Sequence, residues 1–143
     1  NSSGQQLRNT GTVLATQAEM EAGSALTSFV TPGRTQYHPG VAKAWGRVTD
    51  NSGTPTLQSP SYGIGSVVDD GTGRIDWVFS VAFSDADYVM AGVAHKSGDG
   101  ARTIDVGIGG GQQTDRNEVA ISDSITSQSW EDGNMSLAYF GDQ

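Results

Sequence analysis

Cysteine is absent from the 143 residues, which removes disulfides, thiolate metal sites and a cysteine nucleophile together. Charge is sparse as well: Asp, Glu, Lys and Arg make up only 17% of the chain, and acids outnumber bases 16 to 8. The net charge of −8 repels nucleic-acid phosphates and anionic headgroups, so no nucleic-acid partner and no membrane insertion are expected. No apolar run approaches the roughly 20 residues a membrane-crossing helix needs. Proline is scarce, at 4 residues, and with the 20 glycines it stays below the composition of low-complexity disorder. The remainder is dominated by Ser, Thr, Asn, Gln and Gly, a texture that leans toward a turn-rich, all-β, extracellular type of domain. A chain of this length hides about two-thirds of its unfolded surface on folding, enough for one real core. It opens at Asn1 rather than Met and is expected to be a piece of a longer protein.

Two textures divide the chain. Residues 1–40 are expected to form a connector with a short helix over 16–22. Thr16 can cap that helix while Glu19, three residues on, reaches back to the cap amide, and Gly23 supplies the left-handed stop. A helix of about two turns does not persist alone, so it must dock on something. Pro32-Gly33 and Pro39-Gly40 mark residues 30–40 as an irregular linker. From residue 41 onward the apolar period becomes two. Strands are expected at 41–48, 62–68, 74–83, 87–95, 103–109, 118–126 and 135–141, with polar loops between them, including 50–61. Ile75, Trp77, Phe79, Val81 and Phe83 share one parity, and the DDGTG of 69–73 reads as a hairpin turn before them. The expected fold is therefore an all-β antiparallel sandwich, jelly-roll-like, over residues 41–143.

Few patterns carry chemistry. GIGGG at 107–111 lacks the third glycine and the following helix of a dinucleotide site, since Gln112 and a polar run come next. Asp69, Asp70 and Asp76 surround a turn without the late bidentate carboxylate of a calcium loop, so no metal is expected. His38 and His95 are the available imidazole bases, and neither sits in a hydrolase motif. Asp85 with Asp87, or Glu131 with Asp132, are adjacent acids with no spacing that marks a catalytic pair. No catalytic residues, no enzyme activity and no cofactor are expected. Trp45 and Trp77 lie in alternating strands and read as core. Trp130 lies in the polar run SQSWEDGN, where an indole can stack on a sugar face while Glu131 and Asp132 bind hydroxyls. The competing reading of Trp130 is a ring folded over the end of the core or into a subunit contact.

The segment ATQAEMEAG, followed by a hydrophobic stretch and Val30-Thr31-Pro32, resembles a segment of tailed-bacteriophage tail fibres. HPGVAKAWGRV (38–48) is similar to the H-P-x-x-A-K-A-W segment that opens a β-rich distal module of such proteins, and residues 62–94 resemble that module in layout. The resemblance spans about half the chain. It implies a virion protein, extracellular, built as a homotrimeric fibre or receptor-binding tip that joins other phage tail proteins and attaches to a bacterial surface glycan or protein. On that implication Thr16, Met20, Leu26 and Phe29 are expected at the trimer interface. Trp130, Glu131, Asp132, Asp99, Arg102 and Gln112 are expected to touch the receptor, from loops 95–102, 110–117 and 127–134. The alternatives are an architectural collar or baseplate adaptor without a receptor of its own, and a glycan-degrading tail domain.

Overall fold

Alternation of apolar and polar side chains sends one face of a strand inward and leaves the other to solvent, and three of the eight strands follow that rule along their length. A computed structural model describes residues 13–24, 28–50, 52–95, 102–106, 110–123 and 129–143. The chain forms two compact units, residues 1–41 and 42–143.

In the first unit, α1 (Gln17–Ala22) carries the complete reciprocal cap: Thr16 Oγ1 accepts from the Glu19 amide at 3.2 Å, and the Glu19 carboxylate accepts from the Thr16 amide at 2.8 Å. The bond from the Thr16 amide, and a second from the Thr16 hydroxyl to the same carboxylate at 3.0 Å, hold the Glu19 carboxyl below its usual range. Gly23 ends the helix at φ +60, in the left-handed region. Leu14 and Phe29 form a parallel bridge across the helix, with Ala15 donating to the Phe29 carbonyl at 3.0 Å. The linker is less irregular than its turn dipeptides imply. Pro32–Thr35 forms a single helical turn, α2, because the proline ring presets φ at the first position.

The second unit is an antiparallel β-sandwich of two four-stranded sheets. Its strands are β1 (Ala44–Asp50), β2 (Pro55–Tyr62), β3 (Ile64–Asp69), β4 (Arg74–Phe79), β5 (Val89–His95), β6 (Arg102–Val106), β7 (Arg116–Asp123) and β8 (Asn134–Phe140). One sheet runs β2-β1-β8-β5 and the other β3-β4-β7-β6. Between the sheets lie Val48, Ile75, Trp77, Val119, Ile121, Met135 and Tyr139, all essentially without exposure. Trp77 donates its indole N–H to Met135 Sδ at 3.2 Å, so the largest core residue leaves no polar group unpaired. At one end Phe79 meets Phe83, Tyr88 and Tyr139 edge to face, with centroids 4.9 Å apart for both Phe79–Phe83 and Phe79–Tyr139. Burial pushes the Tyr88 hydroxyl up to about 12, and it donates to the Arg116 carbonyl at 3.0 Å.

Three expectations need correction. Residues 55–61, read as part of a polar loop, form β2 together with Tyr62: it is an edge strand, so its prolines cost no ladder bond that the sheet requires. The strand read as 74–83 leaves its ladder after Phe79, although Phe83 stays buried against Phe79. Trp45 is not core: it is 39% exposed on the outward side of β1, while Ala44, Gly46 and Val48 face inward. Among the described residues no helix is long and apolar enough to cross a membrane.

Candidate functional site

At the Asp123 end of β7 the polypeptide arranges a tryptophan, two arginines and several acids in one connected patch. β4 begins only at Arg74, leaving the flank of β7 beyond it free, and the segment after residue 129 occupies that place. Trp130 bridges Ser122 in antiparallel fashion, and the Glu131 amide donates to the Ile121 carbonyl at 3.0 Å. Gly73 permits this approach. Its φ is +69, and a Cβ there would sit 2.5 Å from the Glu131 nitrogen. The Gly73 amide in turn donates to Asp132 Oδ1 at 2.8 Å.

With its backbone tied down, Trp130 stays 41% exposed. The Arg74 guanidinium lies over the ring, 5.2 Å from its centroid. Arg74 is itself held: it pairs with Asp70 at 3.2 Å and with Glu118 at 3.3 Å, and also donates to the Asp70 carbonyl. Glu118 is nearly buried and accepts from the Gly110 amide at 2.6 Å. Arg102, buried along its side chain, pairs with Glu131 at 3.2 Å. Alongside, Ser122 donates to Asp105 Oδ2 at 2.6 Å and meets Thr103 Oγ1 at 2.9 Å. A cation over an aromatic face contributes about 0.5–1 kcal/mol when exposed, and a partly exposed ion pair up to about 1 kcal/mol. These contacts do little for overall stability; their effect is to fix the indole's orientation.

The structure therefore gathers four of the expected receptor contacts, Trp130, Glu131, Asp132 and Arg102, but divides their roles. Trp130 presents a flat apolar surface. Glu131 and Arg102 bind each other, and Asp132 binds the Gly73 amide, so the three act as positioning residues for the ring. Gln112 belongs to the other end of β7: it bridges Asn117 and donates through Nε2 to the Tyr88 carbonyl at 3.1 Å. Asp99 lies outside the described residues. Of the expected trimer contacts, Thr16 is exposed and engaged in the helix cap, Met20 is buried, Phe29 is exposed, and Leu26 lies outside the described residues. Sequence reading missed Arg74 and Gly73, together with Glu118, Ser122, Asp105 and Thr103. The signal for Arg74 and Gly73 was present in the DDGTGR turn, but pairing it with residue 130 takes a contact far apart in sequence.

Asp69, Asp70 and Asp76 behave as turn and ladder residues: Asp69 Oδ1 accepts from the Gly71 amide at 3.1 Å, and Asp76 pairs with Arg116 at 3.6 Å. Among the described residues, no group of three His, Asp or Glu is arranged to hold a metal ion. Comparison with protein-family models, curated proteins and solved structures returned no match to this chain.

Proposed function

We propose that this chain is a surface-attachment protein of a tailed-phage virion, a fibre or tip module whose sandwich holds receptor-binding loops and whose first 41 residues gather copies into a homotrimer. The observation that carries the binding half of this reading is Trp130. A large apolar ring is held half-exposed by backbone bonds to β7, a cation above it and an ion-paired loop around it. A ring placed only to cover the core would be buried against it, as Trp77 is. Pyranose rings offer an apolar C–H face that stacks on such an indole, and the polar rim of the patch suits their hydroxyls. The assembly half is supported by the fibre-like segment at 15–34 and by Val13, Leu14, Phe29 and Val30, all more than half exposed. Four large apolar side chains open to water in so short a segment mark an interaction surface.

The test is adhesion of the fluorescently labelled chain across a panel of bacterial strains. Saturable binding to a subset of strains, competed by their purified surface polysaccharide, supports the reading. Binding to none of them overturns it.

A further inference from the structure

The outward face of the β2-β1-β8-β5 sheet holds a second aromatic surface, away from the Trp130 loop's strand. Trp45 stands directly opposite Tyr62 across the β1–β2 ladder, and both are exposed. Next to Trp45, β8 and β5 contribute small outward residues, Ala138 paired with Ala91 and then Ser136, with the exposed Val93 opposite Ser136 on β5. The step from large to small leaves a shallow trough of about 330 Å³, walled by Trp45 and Pro60 and floored by those small side chains. Arg47 rises from the same trough, two residues beyond Trp45 on the same face.

The charges here are unusual for so acidic a chain. These four strands contain one carboxylate, Asp50, and it is turned inward and buried. Among the described residues Arg74, Arg102 and Arg116 each pair with an acid, whereas no acid pairs with Arg34, which lies over the Tyr37 ring, or with the exposed Arg47. An exposed guanidinium with no acid beside it among the described residues, next to the Trp45 and Tyr62 side chains, offers a charge-assisted fork to an anion from outside. The trough lies over β1 and β8, whose backbone groups are committed to ladders on both sides, so a peptide cannot bind there by adding a strand. Recognition must come from side chains alone.

We infer that this trough is a binding site for an acidic saccharide: the C–H face of a uronic or sialic acid ring lies on Trp45 and Tyr62, its carboxylate takes the Arg47 fork, and Ser136 Oγ meets a hydroxyl. The choice of a saccharide rests on the surface-attachment reading above, while the anionic, ring-shaped chemistry rests on the trough itself.

The experiment is a titration of the full chain with the methyl glycosides of glucuronic, galacturonic and N-acetylneuraminic acid, each beside its neutral methyl ester. Binding is followed by NMR at the Trp45 indole N–H and the Arg47 Nε–H. At least one acid is expected to shift both signals saturably, and its ester to bind about tenfold more weakly, the loss of about 1.4 kcal/mol. Arg47→Gln brings the acid down to the level of its ester, and Arg47→Lys falls between, since a point charge lacks the planar fork. Both substitutions are on an outward face and are checked for unchanged melting temperature. Equal binding of acid and ester, or no shift with any of the three acids, overturns the inference. So does a shift of the Trp45 signal with protein concentration accompanied by rising mass, which would give the face to a second copy of the chain. A failed titration leaves adhesion through Trp130 standing, and a protein that binds the acid yet adheres to no strain overturns the attachment reading alone.

Discussion

Asp50 closes β1 with its side chain buried, Oδ1 accepting from the Thr54 amide at 2.9 Å and Oδ2 without a hydrogen-bond partner. Burial, then the charge of Asp132 and more weakly that of Asp69, raises its pKa above the ordinary 3.8. The folded protein thus binds this proton more tightly than the unfolded chain does. Ionised Asp50 costs stability at neutral pH; the cost shrinks as pH falls through the folded pKa and is gone below the unfolded value. Asp50→Asn keeps an acceptor for Thr54 and removes the charge. It is expected to raise the melting temperature at pH 7, and the gain over wild type is expected to close as pH approaches about 4 in thermal melts. A gain that stays constant with pH would show that the charge is not its source. At the same scale, the tryptophans show what single residues disclose in a sequence. Trp77 shares parity with Ile75 and Phe79, and the core placement follows. Trp45 shares parity with Arg47, and that cation marks the outward face; weighing the indole's size above its neighbour's charge led to the wrong side.

The elements differ in how far local chemistry determines them. The α1 cap is local, spanning Thr16 to Glu19, and was legible entire. Thr16→Ala removes the hydroxyl acceptor and is expected to cost about 1 kcal/mol, read as reduced amide protection over residues 17–22 in hydrogen exchange. Unchanged protection would mean that packing, not the cap, holds the helix. The β3–β4 hairpin was legible for the same reason, since its Asp and Gly residues supply the turn. The β2 strand was not, because Pro55 and Pro60 argue against a strand until its edge position is known. Least legible was the docking of segment 129–132 on β7 beside Gly73, which no local pattern encodes. Gly73→Ala puts a Cβ into the Glu131 backbone at a positive φ. The expected result is a loss of roughly 1–3 kcal/mol in denaturant unfolding, with a changed fluorescence of Trp130. A native-like stability and emission would show that the segment does not need this approach.

At the scale of the whole molecule, the proposed function needs both assembly and attachment. Phe29 is exposed beside Leu14, and the proposed homotrimer would cover that surface with a partner chain. Light scattering of the full chain is expected to give about three times 14.9 kDa, and Phe29→Ser to lower that mass with the sandwich still folded. Met20 is buried, so Met20→Ala acts on the fold of the first unit instead. Multivalency raises weak single-site binding by linking copies, so on the proposed reading trimer loss and ring loss are expected to reduce adhesion by separate routes. The central claim is that an indole fixed at the end of β7 contacts another cell. Its most direct test is the half-saturating concentration of Trp130→Ala on strains that bind the wild type, with melting temperatures measured on the same samples. The account predicts adhesion weakened at least about tenfold, a loss of some 1.4 kcal/mol, with the melting temperature nearly unchanged. Full adhesion with a lowered melting temperature would contradict it and make Trp130 a packing residue.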